Sequence, residues 1–92
     1  MNEKLYSLFV KSLDSYKLNG TKLKFGELDF SRDSHAIVEV FGGENGAGSW
    51  VNYFEQLKIL TEVFEEQFER VILIDLFNDC LDDVFYARFS LR

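Results

Sequence analysis

Hydrophobic residues recur along this chain with two different periods, and the switches between them mark out six elements. Leu5, Leu8, Phe9, Leu13 and Tyr16 fall at three- and four-residue spacings, with Lys4, Lys11 and Asp14 between them. Such spacing gathers one face of a helix and predicts one over about Asn2 to Lys17. Asn19-Gly20 follows, a pair that tolerates the left-handed conformers of a helix end. Leu23 and Phe25 then alternate with Lys22 and Lys24, the two-residue period of a half-buried strand. Past Gly26 the apolar parity flips to Leu28 and Phe30, and a bulge at Gly26-Glu27 would return all four to one face. Ser31 to Ser34 reads as a turn. Ala36 to Phe41 is apolar on both parities apart from Glu39, which suits a central strand buried on two sides.

The glycine cluster Gly42, Gly43, Gly46 and Gly48 reads as a loop, after which Ser49 is placed to cap a second helix. That helix is expected to reach about Glu69, with Trp50 or Val51, Phe54, Leu57, Leu60 or Thr61, Phe64 and Phe68 along its apolar stripe. Arg70 to Phe77 forms the most apolar strand, Asn78 to Asp83 a polar turn, and Val84 to Leu91 the last strand. The order is helix-strand-strand twice over, αββαββ, in a single domain, 1–92. It is also the order left when the first strand of a βαββαβ arrangement moves to the end. The expected fold is α+β, a two-layer sandwich: a four-stranded, mainly antiparallel sheet with both helices on one face, covering both apolar stripes. The segment from the second strand through the second helix to the third strand is long enough for a parallel crossover. Two independent hairpins, or helices split across both faces, are the alternatives.

With both helices on one side, the other side of the sheet has no cover from this chain. The expected core set from the strands is Leu23, Phe25, Val38, Val40, Ile72, Ile74, Leu76, Phe85, Ala87, Phe89 and Leu91. The opposite parity carries Phe41, Val71, Leu73, Asp75, Phe77 and Tyr86, a candidate homodimer face. Among them stand Lys22, Lys24 and Arg88 against Glu39 and Asp75, a balance that suits cross-strand pairing. An apolar patch of this extent on a sheet usually marks a contact surface.

Composition narrows the class. The 47% apolar and 28% charged residues of this 92-residue chain describe a globular domain, although proline is absent. One cysteine makes no internal disulfide, no apolar run is long enough to span a bilayer, and Met-Asn-Glu-Lys lacks a signal-peptide pattern. A cytoplasmic protein without membrane contact is expected. The formal charge of −6 opposes direct binding of nucleic acid, whose phosphates need cations.

Candidate chemistry is sparse. The glycine loop follows a strand and opens a helix, the context of a phosphate cradle. Yet Gly48 is followed by Ser49 where a P-loop has Lys, and Val51 stands where the dinucleotide pattern needs glycine. His35 has no second histidine to share a metal. Cys80 lies among Asp79 and Asp82, which disfavour a thiolate. Asp75, Asp79, Asp82 and Asp83 lack the calcium-loop spacing. No catalytic residue, metal or cofactor is expected.

Charge is the strongest surface signal. Residues 61–83 hold eight acids, Glu62, Glu65, Glu66, Glu69, Asp75, Asp79, Asp82 and Asp83, against the single base Arg70, whereas the first 54 residues are nearly neutral. Glutamates at the end of a helix also oppose its macrodipole, at a cost of a few tenths of a kcal/mol each. Such a concentration either solubilises or steers a basic partner. The expected function is a small acidic, non-enzymatic protein-binding module, in the manner of an inhibitor, immunity or anti-defence protein, docking on a basic nucleic-acid-handling partner. Its contact residues would be Glu62, Glu65, Glu66, Glu69, Asp79, Asp82 and Asp83, with Trp50 and Tyr53 as anchors. The alternative is a homodimeric structural or accessory domain joined through the uncovered sheet face.

Overall fold

Asn2 starts the first helix and ties it to the sheet. Its side-chain oxygen accepts from the Leu5 amide (3.2 Å), an N-cap bond, while its Nδ2 donates to the Asp33 carbonyl (3.0 Å). Its own amide donates to the Phe30 carbonyl. The computed structural model describes residues 1–18, 23–42, 49–79 and 84–92. Helix α1 (Glu3–Leu18), strands β1 (Lys24–Asp29) and β2 (Ala36–Gly42), helix α2 (Ser49–Gln67) and strands β3 (Val71–Asp79) and β4 (Val84–Leu91) follow in that order.

The strands form one four-stranded sheet in the order β1-β2-β4-β3, with every neighbouring pair antiparallel. The fold is the expected α+β sandwich. Because β2 and β3 both run opposite to β4, they point the same way, yet β4 lies between them, so α2 spans a split crossover. Moving β4 to the front would give β4-α1-β1 the same form, which is the permuted βαββαβ arrangement.

Both helices lie on one face. Phe9 of α1 meets Phe25 edge-on (5.4 Å between ring centres), and Phe64 of α2 meets Phe89 likewise (5.7 Å). Phe9 and Phe64 stack across the helix pair at 6.1 Å. Leu23, Phe25, Val38, Val40, Leu76, Phe85, Ala87, Phe89 and Leu91 join or pack on this core, as expected from their parity. The parity flip in β1 is a bulge: Phe25 pairs with Val40, but Leu28 pairs with Val38. The displaced Glu27 amide donates to the Glu39 carboxylate (3.0 Å). A Cβ at Gly26 would run into the Phe41 ring, so the bulge depends on glycine there.

Three expectations need correction. A second register shift lies between Leu73 and Asp75, with Leu73 opposite Phe89 but Asp75 opposite Arg88. Directly paired residues share a face, so Val71 and Leu73 belong to the helix side and not to the candidate dimer face. Val71 packs on the core, and Leu73 stays exposed because β3 is an edge strand. Ile72 and Ile74 leave the expected core set: Ile72 pairs with Ser90 on the open face, and Ile74 is exposed in the bulge. In α2 the buried stripe is Tyr53, Leu57, Leu60, Val63, Phe64 and Phe68, so Val51 and Phe54 point to solvent.

Candidate functional site

Strand pairing organises the open face into rows. Phe41, Tyr86 and Phe77 stand directly opposite one another across β2, β4 and β3, followed by Glu39, Arg88 and Asp75, then by Ile37, Ser90 and Ile72. In the first row the Tyr86 ring lies 5.1 Å from Phe41, edge-on, and 4.5 Å from Phe77. Phe77 remains 48% exposed, whereas Tyr86 is buried by its neighbours.

The second row is a hydrogen-bonded clasp. Tyr86 donates its hydroxyl to Glu39 Oε2, Arg88 Nε donates to the Tyr86 oxygen (2.8 Å), and an Arg88 terminal nitrogen donates to the same Glu39 oxygen (3.3 Å). Glu39 Oε1 receives the Glu27 amide, so both carboxylate oxygens are engaged. The Tyr86 hydroxyl holds the Glu39 carboxyl below the usual carboxylate range, against the opposing effect of burial. Burial, followed by the Glu39 bond, raises the Tyr86 phenol above its ordinary value. The bond to Glu39, with that to Tyr86, reinforces the charge on Arg88. A carboxylate held this way links three strands to one another, accepting from Glu27 of β1 and from Tyr86 and Arg88 of β4. Of the charges whose balance suits cross-strand pairing on this face, Glu39 and Arg88 are paired, and Tyr86 joins them. Tyr86 sits two residues from Arg88 on the same face, and that spacing was the available signal.

Asp75 completes the row differently. Its carboxylate receives only the Leu76 amide (2.9 Å) and has no cation partner among the described residues. Arg88, although directly opposite, turns toward Glu39. Ser90, only 7% exposed, has no hydrogen-bond partner for its hydroxyl among the described residues.

The acidic residues divide. Glu62, Glu65 and Glu66 are exposed along α2, and no base occupies its last turn. Glu69 lies beyond the helix end, where its amide donates to the Arg92 carbonyl (2.7 Å). It lines a hollow with Asn2, Lys4, Asp33, Gln67 and Arg92 at the end of α2. Asp82, Asp83, Cys80 and the loop 43–48 lie outside the described residues, as do the side chains of Trp50 and Asp79. Tyr53 is 1% exposed and donates its hydroxyl to the Val40 carbonyl (3.0 Å) while stacking on Phe85 at 5.3 Å. It anchors α2 to the sheet and is not a surface contact. The spacing Tyr53, Leu57, Leu60, Phe64 carried that signal.

His35 accepts or donates one bond with Ser34 (3.0 Å) at the surface turn. Nearby, Asp29 closes a local turn by accepting the Ser31 amide and hydroxyl and pairing with Arg32. Among the described residues no three His, Cys, Asp or Glu side chains gather as a metal site, and no helix is long and apolar enough to cross a membrane. No protein-family model, curated protein or solved structure matches this chain.

Proposed function

We propose that this chain is a small, non-enzymatic docking module that presents the acidic side of α2 to a basic protein. The observation that carries the reading is the row Glu62, Glu65 and Glu66, all exposed on a helix whose other side is locked into the core by Tyr53, Leu57, Leu60 and Phe64. Lys58 is the only base between residues 55 and 67. Fixed carboxylates of one sign raise the rate of encounter with a positive surface and do so without a cleft or a nucleophile. Inhibitors and immunity proteins of nucleic-acid-handling enzymes share these physical properties: small size, acidity and a rigid charged face. The partner class is therefore a basic, nucleic-acid-handling protein, and no cofactor or metal enters the reading.

The test is capture from an extract of the source organism at low salt, run in parallel with wild type and with the triple variant Glu62→Lys, Glu65→Lys, Glu66→Lys. Wild type should retain a basic protein that elutes as salt rises, and the triple variant should not. Equal capture by both, or retention insensitive to salt, overturns the acidic-face reading.

A further inference from the structure

We propose that the open face of the sheet binds a second copy of this chain, sheet against sheet, as a weak homodimer. Three observations converge on that occupant. The first row of the face is aromatic across three strands, and Phe77 leaves half its surface in solvent. The second row places Asp75, an anion with no cation partner among the described residues, beside a cation that is itself 42% exposed, Arg88. A copy related by a two-fold axis offers each of these groups its opposite, Asp75 of one chain meeting Arg88 of the other, and a two-fold contact makes every such pair twice.

The third observation is where the charge lies. On the open face Lys24 and Arg88 stand against Glu39 and Asp75, and Asp29, opposite Ile37, is paired with Arg32, so these six charges balance although the whole chain carries −6. Two copies would repel through their α2 sides but meet at this face near neutrality. The stripes of Glu62, Glu65 and Glu66 then lie on opposite outer surfaces of the pair. Four strands about 4.8 Å apart and some seven residues long give roughly 450 Å² of face per copy. Twice that, about 900 Å², falls below the usual range of stable complexes and predicts a weak, concentration-dependent dimer.

The inference does not rest on the acidic docking surface, and its test needs no partner protein. Sedimentation velocity of the full chain over a range reaching roughly 1 mM should show the mass rising from 10.8 kDa toward twice that value. Asp75→Arg and Phe77→Asp, both at exposed positions, should each weaken association about tenfold or more, while Glu62→Lys should leave it intact. Circular dichroism verifies the fold of each variant. Independently, amide shifts of wild type on dilution should map to Phe41, Phe77 and Arg88. A constant mass of one chain, association unchanged in both variants, or shifts confined to the helices overturns the proposal.

Discussion

Tyr86 and Tyr53 show how far one residue type diverges with its surroundings. Both are buried, and both donate a hydroxyl to an oxygen on β2, but one acceptor is a carboxylate and the other a backbone carbonyl. Burial raises both phenols above the ordinary tyrosine value. Folded tyrosines of this kind hold their protons more tightly than unfolded ones, so they contribute stability below about pH 10 that is lost as pH rises beyond it. Glu39 works in the opposite sense. Its folded carboxyl sits below the usual range, so its contribution is present above the ordinary carboxylate value and is lost as pH falls through the folded one. Tyr86→Phe removes the largest cause of that depression. Urea midpoints measured between about pH 6 and about pH 3 should fall less steeply for this variant than for wild type. An acid limb of unchanged slope would mean that Arg88 and the Glu27 amide alone hold the carboxylate.

At the level of elements, α1 depends on Asn2 more than its length suggests, because one side chain caps the helix and bonds the turn before β2. Asn2→Ala should cost about 1–2 kcal/mol of stability by chemical denaturation, and Asn2→Asp less, since it keeps the capping oxygen. The two bulges explain how much of the sheet could be read from the chain. In β1 the alternation of Leu23 and Phe25 with lysines is crisp, so its reversal at Leu28 is visible, and Gly26 marks the place. In β3 the run Val71-Ile72-Leu73-Ile74 is apolar at every position, so a shift of one residue leaves no trace in the pattern. Its apolar density suits a buried interior strand, yet it is an edge. The start of α2 was ambiguous for a similar reason: Trp50, Val51, Tyr53 and Phe54 offer two overlapping stripes, and the hydroxyl of Tyr53 decided between them by reaching Val40. The exposed acids of α2 were legible because charged side chains on a helix opposite a periodic apolar stripe have only solvent to face. The clasp of Glu39, Tyr86 and Arg88 depends on strand order, which local pattern does not encode.

For the whole molecule, the net charge of −6 and the glutamates near the negative end of α2 oppose the folded state. Salt should therefore stabilise the protein modestly. Raising sodium chloride from about 0.01 M to about 0.15 M shortens the Debye length from about 30 Å to about 8 Å and should raise the melting temperature. The same step should have a smaller effect on the triple lysine variant of Glu62, Glu65 and Glu66. A flat response in wild type would indicate that these carboxylates are already neutralised by their surroundings. The sheet order bears on a different property. β1 and β2 come from the first half of the chain and β3 and β4 from the second, but the central contact of the sheet joins β2 to β4, with Ala36 opposite Leu91. Neither half can assemble the layer alone, for β3 reaches the other strands only through β4. The pairings within β1-β2 and β3-β4 close short loops, whereas the β2-β4 pairing closes a loop of about fifty residues and carries the larger entropic cost. A cut between the two halves would therefore leave neither with the whole layer, and β4 is the strand through which β3 joins it.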